Sequence, residues 1–291
     1  MREWIVGWVA VIAAAGALLS GCAGGLRPLE GNAPPMRVVV FAPGALAGSP
    51  AREETLAREM AAAAVLSPRA DAGQSGVVWQ WRLAVRDEAG AVTYPVALAP
   101  SPAPVASFDA GPAHFCFLDN DADIREGAPA AVALIDDLSL NRKAWKFLFL
   151  DHPIAAERIG PDFDYIGRLV EREKVLLVVA PGAGGYVRSR PIGAAAEGAV
   201  RYIALPSDPA KSDAMRPWLA CAVAGGDYAI FEFTSRSVSW RLFDRDGKLL
   251  DILEIPAHNR AGTASGVMTY GELFAAVNAV ETATPPLAPG K

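Results

Sequence analysis

Charge is scarce in this sequence: Asp, Glu, Lys and Arg make up 20% of the chain, and the formal net charge is −5. Without a basic run or a strong excess of one sign, there is no electrostatic footprint for nucleic acid or for an anionic lipid surface. Cysteine is scarce too, with three residues, which excludes a disulfide-dense scaffold. The three histidines, His114, His152 and His258, are scattered, and nothing in the spacing ties one of them to a nucleophilic serine. Two near-elbows, Gly73-Gln74-Ser75-Gly76 and Gly262-Thr263-Ala264-Ser265-Gly266, each miss the Gly-x-Ser-x-Gly pattern by one position. The acidic stretch Asp119-Asn120-Asp121-Ala122-Asp123 starts like a calcium loop, but Ile124 and Ala130 stand where that loop needs glycine and glutamate.

A long apolar run is also missing. Trp4 to Leu19 is uncharged but too short for a confident transmembrane helix, and it ends in small residues after Arg2, as a secretory signal does. Leu19-Ser20-Gly21-Cys22 resembles the bacterial lipobox, which implies cleavage before Cys22 and lipidation of that cysteine. The expectation is a leader over 1–21, a lipidated tether over 22–35 rich in glycine and proline, a folded domain over 36–281 and a Pro-rich tail over 282–291. Ala23 after the cysteine favours the outer membrane, facing the periplasm, if the host is Gram-negative. The expected partners are the membrane, through the lipid at Cys22, and an envelope protein.

What the chain does have is apolar residue, 52% of the total, enough for a well-buried core. Arg37 to Phe41 reads as a buried-type strand, and Val175 to Ala180 is a continuous apolar run of strand length, of the type buried on both faces. Trp79, Trp81 and Leu83 alternate with Gln80 and Arg82, and Asp87 to Gly90 turns that strand into another over 91–98. Val238, Trp240 and Leu242 alternate with serines and Arg241 before a turn at Asp244 to Gly247 leads into a further strand. Ser49-Pro50 opens a helix that Ser67-Pro68 ends, and further helices are expected over 131–140, 162–173 and 270–280. Cys116 and Cys221 lie in strand-like runs, either paired or as two buried free thiols.

The run after the 175–180 strand, Pro181-Gly182-Ala183-Gly184-Gly185-Tyr186-Val187-Arg188-Ser189-Arg190-Pro191, resembles the closing motif of calcineurin-like metallophosphoesterases, in particular the purple-acid-phosphatase-like branch. Ser107, Phe108, Asp109, Gly111, His114, Phe115, Leu118 and Asp119 are similar to a framework strand pair of that family, and Trp145 to Pro153 to its "W-K-strand-His-His-Pro" block. The resemblance implies an α/β (α+β) fold, a metallophosphoesterase-like β-sandwich of mixed sheets flanked by helices.

It also implies where a two-metal centre would sit, and there the ligands are replaced. Pro43 stands at the first metal-binding Asp, Asp151 at the ligating histidine of the His-His pair, and Gly182 and Gly184 at the two histidines of the closing motif. His152 keeps the adjacent, non-ligating place. The expectation is therefore a degenerate member with no catalytic residue, no metal and no cofactor, serving as a non-catalytic binding or assembly module. Two alternatives stay open: a metal-dependent phosphoric ester hydrolase rebuilt around Asp151, His152 and the glycine loop, and a periplasmic receptor for a small ligand with Trp79 and Trp81 lining its pocket. The backbone of Gly184 and Gly185 with Arg188 and Arg190 is a candidate anion cradle.

Overall fold

The computed structural model describes residues 36–43, 62, 64–73, 76–86, 92–98, 105–119, 125–151, 164–182, 184–193, 199–208, 210, 215–234, 236–256 and 267–283. Their strands are β1 (Met36–Phe41), β2 (Ala64–Gly73), β3 (Gly76–Arg86), β4 (Val92–Leu98), β5 (Val105–Ala110), β6 (Ala113–Leu118), β7 (Trp145–Leu150), β8 (Val175–Pro181), β9 (Tyr186–Ser189), β10 (Arg201–Leu205), β11 (Leu219–Val223), β12 (Tyr228–Phe233), β13 (Ser237–Phe243) and β14 (Leu249–Pro256). The helices among the described residues are α1 (Pro129–Leu140), α2 (Asp164–Arg172) and α3 (Tyr270–Ala283). None is long and apolar enough to cross a membrane.

Two seven-stranded sheets result, ordered β14-β13-β12-β1-β2-β3-β4 and β11-β9-β10-β8-β7-β6-β5. Both are mixed. In the first, β1 is parallel to β2 and antiparallel to β12. In the second, β6, β7, β8 and β10 run parallel while β5 and β9 run against their neighbours.

Residue parity explains why the sheets stack. On β8, Leu177 and Val179 face the first sheet while Val178 and Ala180 face the helices, so every residue of this strand is buried. A strand covered on both faces needs no polar alternation, which is why its sequence is one apolar run. Between the sheets lies an aromatic layer: Phe147 stands 4.6 Å from Phe231, Phe231 packs edge-on to Trp240 at 4.8 Å, and Phe115 lies 5.2 Å from Phe147. Each such ring contributes roughly 1.5–3 kcal/mol by leaving water. On the outer side of the second sheet, Leu134 and Leu138 of α1, Ile166, Leu169 and Val170 of α2 and Leu273 of α3 close a second apolar layer. Three of the four residues expected on one face of the 162–173 helix are thus the ones that pack; Phe163 lies outside the described residues.

Some expectations change. The helix opened at Ser49-Pro50 lies outside the described residues, but it does not extend to Ser67-Pro68, because the chain is already in β2 from Ala64. Pro68 is tolerated there because the ladder with β1 ends at Leu66, leaving β2 a neighbour on one side only. The glycine segment after β8 is short, and strand resumes at Tyr186 as β9. Cys116 and Cys221 are free thiols, on β6 and β11, with four strands between them in the sheet. At about 4.8 Å per strand, that separation is far beyond the reach of a disulfide.

Candidate functional site at the strand ends

Parallel strands deliver their C-terminal ends to one edge. Leu118 is level with Leu150, Phe149 with Val179, and Pro181 with Leu205. Asp119, Asp151, Gly182 and Pro206 therefore follow one another along that edge, about 4.8 Å apart from strand to strand. The end of β1 joins them from the facing sheet. The amide of Ala42 donates to the carbonyl of Asp227 at 2.9 Å, and a Cβ on the preceding Gly226 would stand 3.3 Å from Pro206. Pro43, Asp151, Gly182 and Gly184 are thus gathered at one end of the sandwich, all of them buried. His152 lies outside the described residues.

The chemistry available there is meagre. Pro43 offers no donor atom to a cation from its side chain. Gly182 is committed to the backbone: its amide donates to the carbonyl of Leu205 at 2.6 Å, and a Cβ built on it would lie 2.9 Å from that oxygen and 3.3 Å from the Cβ of Ala204. No side chain, histidine included, fits without moving the main chain. The carbonyl of Gly184 accepts from the amides of Ser207 at 3.2 Å and Asp208 at 3.4 Å. Asp151 contributes one carboxylate, 4% exposed. A pair of divalent ions needs several convergent oxygen or nitrogen ligands, and among the described residues no group of three His, Cys, Asp or Glu side chains is arranged to hold a metal ion. The described residues at this edge do not by themselves fit a two-metal centre.

The proposed anion cradle is not assembled either. Gly184 and Gly185 lie at the start of β9, whereas Arg188 and Arg190 are carried toward its other end, roughly 13 Å and more from Gly184 at 3.3 Å per residue. The Arg188 guanidinium is occupied: its Nε donates to Oδ2 of Asp251 at 2.7 Å and its Nη2 to Oδ1 at 2.9 Å. Tyr186 donates its hydroxyl to the same Oδ2 at 2.8 Å, and Nε1 of Trp240 donates to the Tyr186 hydroxyl at 3.2 Å. This chain of bonds ties β9 of one sheet to β13 and β14 of the other. Burial works against the Asp251 carboxylate, but the Arg188 fork and the Tyr186 hydroxyl hold its pKa below the usual range. Burial, reinforced by Asp251, pushes the Tyr186 phenol well up, and burial beside Asp251 pushes the Cys221 thiol up to about 11. Neither group is an available nucleophile.

A second network sits where β5 and β6 meet α1. His114 has Nδ1 2.8 Å from Oδ1 of Asp109 and Nε2 2.8 Å from Oδ2 of Asp137. Ser107 donates to Oδ1 of Asp137 at 2.6 Å, and Nδ2 of Asn141 donates to Asp109 at 3.1 Å. Burial disfavours the His114 cation, but the two carboxylates outweigh it and raise its pKa, while His114 and Ser107 lower that of Asp137 against burial. Ser107 faces Asp137 rather than the imidazole, and both ring nitrogens face carboxylates. This cluster is a clamp, not a Ser–His relay.

These polar residues carried a faint sequence signal. Asp251 falls in phase with Leu253 and Ile255 on β14, so a carboxylate on the inner face was readable from the period of two, but its partner on another sheet was not. The Trp79 and Trp81 side chains lie outside the described residues, so no pocket can be built from them.

No protein-family model matches this chain, and no curated protein is similar to it at a significant level. Solved structures are. A purple acid phosphatase isolated from yellow lupin (Lupinus luteus) seeds is 10% identical with a TM-score of 0.53, over 91% of this chain and 58% of that one. GAP50, the anchor in the inner membrane complex of Plasmodium, is 11% identical with a TM-score of 0.53, over 81% of this chain and 97% of that one. The chain thus spans less than two-thirds of the length of the lupin phosphatase. At these identities the likeness is one of architecture: two mixed sheets with few helices, a metallophosphoesterase-like fold.

Proposed function

We propose that this protein is a bacterial envelope lipoprotein whose metallophosphoesterase-like domain is degenerate and serves as a non-catalytic binding or assembly module. The observation that carries the proposal is Gly182. Where the family resemblance calls for a metal-binding histidine, the main chain of β10 leaves 2.9 Å between a Cβ and the Leu205 carbonyl. That position has been absorbed into the sheet. Pro43 at the end of β1 points the same way. The neighbour described as an anchor in a membrane complex is consistent with such a fold serving as a scaffold.

On this proposal residues 1–21 are removed, Cys22 carries the acyl chains, residues 22–35 span from membrane to domain, and the partner is another envelope protein. Acylation at roughly 0.8 kcal/mol per buried CH₂ makes a multiply acylated chain a firm membrane resident. Cys22→Ser is expected to abolish palmitate incorporation and move the chain from the membrane fraction to the soluble one.

Elemental analysis of the purified full chain, expressed with Mn, Fe and Zn supplied, tests the central point. The expected result is substoichiometric metal and no phosphomonoester or phosphodiester hydrolysis. Stoichiometric metal that is lost in an Asp151→Ala, His152→Ala double variant would overturn the degenerate assignment in favour of a rebuilt hydrolase.

A further inference from the structure

His114 stands on the helix-facing side of β6, level with Asp109 on β5 and with Lys146 on β7. It lies near the start of the parallel strands, about 13 Å along β6 from Leu118 and the edge that carries Asp151 and Gly182. The turn beside it touches the beginning of β1. A Cβ on Gly111, between β5 and β6, would lie 2.8 Å from Sδ of Met36.

Both ring nitrogens of His114 lie 2.8 Å from carboxylate oxygens, Nδ1 from Asp109 and Nε2 from Asp137. A neutral imidazole has a single N–H, so it serves one carboxylate and sets a lone pair against the other, whereas the cation donates to both. The two nitrogens differ in one respect. Nδ1 has a further neighbour, Nδ2 of Asn141 at 2.8 Å, and the same Nδ2 donates to Oδ1 of Asp109 at 3.1 Å. The other end of that amide fixes its orientation, because Oδ1 of Asn141 accepts from the main-chain amide of Lys143 at 2.8 Å. Nδ1 therefore has a donor waiting when it loses its proton, while Nε2 faces Oδ2 of Asp137 and keeps its hydrogen there. The other ionisable groups around the ring are Lys143, Lys146 and Cys116. Lys143 lies 3.7 Å from Oδ2 of Asp109 and donates to the Gly111 carbonyl at 2.8 Å, and Lys146 donates to the Leu138 carbonyl in the last turn of α1. The Cys116 thiol, beside Asp137, is pushed up by burial.

We propose that His114 is a proton switch, with Asp109 and Asn141 as its two alternative partners at Nδ1, that sets how firmly α1 is held to the second sheet. With both nitrogens protonated, the ring bridges Asp109 on β5 and Asp137 on α1. Loss of the Nδ1 proton to water leaves the Nε2 hydrogen on Asp137 and brings the Asn141 N–H onto Nδ1. The ion pair with α1 is then gone, and a weaker bond to the Asp137 carboxylate remains. Asp109, without the ring, is left beside Lys143. Burial disfavours the cation, but the bonds to Asp137 and Asp109 outweigh it, so the change falls above the ordinary histidine value of about 6.5. The hold on α1 is therefore full below that value and loosens as pH rises through the folded one. The switch does not depend on whether the strand-end site is degenerate.

Nuclear magnetic resonance of the full chain in neutral detergent tests it, with the three histidines labelled with nitrogen-15 and His114 assigned by the signals lost in His114→Gln. The ring nitrogen shifts report both the titration midpoint and the neutral tautomer. The expected result is a midpoint above about 6.5 and an alkaline form protonated at Nε2 with Nδ1 bare. In Asn141→Ala the neutral ring loses its donor, so the midpoint is expected to rise by about 0.5–1 pH unit, the scale of one hydrogen bond. Hydrogen exchange supplies a second readout. Protection of the α1 amides, taken relative to β8, is expected to fall by about threefold or more across the His114 midpoint. An alkaline ring protonated at Nδ1, or α1 protection that does not follow the midpoint, overturns the proposal, and both are read on the parent chain. A midpoint that Asn141→Ala leaves in place or lowers overturns it as well, because Asn141 would then be a structural cap and no partner of the neutral ring.

Discussion

At the C-terminal edge of the second sheet the chain ends its strands on Asp151, Gly182 and Pro206, with Pro43 joining from the facing sheet, and main-chain bonds knit the edge, as between Gly182 and Leu205 or Ala42 and Asp227. Elsewhere in the same sandwich, polar side chains are matched to partners on distant elements: Arg188 to Asp251 across 63 residues, His114 to Asp137 across 23. The two regions share one scaffold and one apolar core. Among the described residues, Gly182 at the first of these regions is committed to backbone pairing. The flanks, by contrast, use ionisable groups to join sheet to sheet and helix to sheet.

Four measurements would break or sharpen that contrast. The largest effect is expected at Asp251→Ala, which leaves the Arg188 guanidinium, 13% exposed, without its carboxylate and strands the Tyr186 hydroxyl. Breaking one side of a largely buried pair costs about 3–5 kcal/mol, readable in urea denaturation. A loss under 1 kcal/mol would mean that the clamp does not join the sheets.

Placing at Gly182 the histidine that the resemblance calls for should be harmful. Gly182→His is expected to destabilise by about 1–3 kcal/mol through the close contact with the Leu205 carbonyl, without gain of metal. A variant as stable as the parent that binds zinc would show that the edge remains open.

The His114 clamp should show itself through pH. Because its folded pKa is raised, its contribution is full below the ordinary histidine value of about 6.5 and is lost as pH rises through the folded value. The lowered pKa of Asp137 acts in the opposite sense, its contribution disappearing as pH falls below the ordinary carboxylate range. The stability advantage of the parent over His114→Gln should therefore be greatest in the mildly acidic range and shrink toward alkaline pH. The effect is moderated by solvent, since Asp109 is 38% and Asp137 23% exposed. A pH-independent difference would show that the imidazole is not charged in the clamp.

The smallest effect belongs to Arg37→Ala. Its Nε lies 2.9 Å from Glu232, but the arginine side chain is 36% exposed, so the change should stay within about 0.5 kcal/mol. A larger loss would mean that the outer face of the first sheet is also clamped by charge.

Much of the fold was legible because local periodicity records it. The apolar run of β8, the alternation on β13 and the helical spacing of Ile166, Leu169 and Val170 each state which faces are buried. What misled was punctuation. Ser67-Pro68 looks like a helix stop, yet it falls inside β2, where one-sided pairing makes the missing N–H harmless. The glycines after β8 look like an open loop, yet the strand resumes after four residues and Gly182 is still bonded to β10.

Composition and spacing by themselves determined that this chain would bury a β-rich core and which strands would be covered on both faces, because these follow from side-chain chemistry and the period of each element; the metal positions, by contrast, were located only by the resemblance to a family. Only the tertiary structure decided that Gly182 is closed by the Leu205 carbonyl, that Arg188 is spent on Asp251, and that His114 lies between two carboxylates. Those outcomes depend on which strands become neighbours, and strand order is set by packing of the whole chain rather than by any stretch of it.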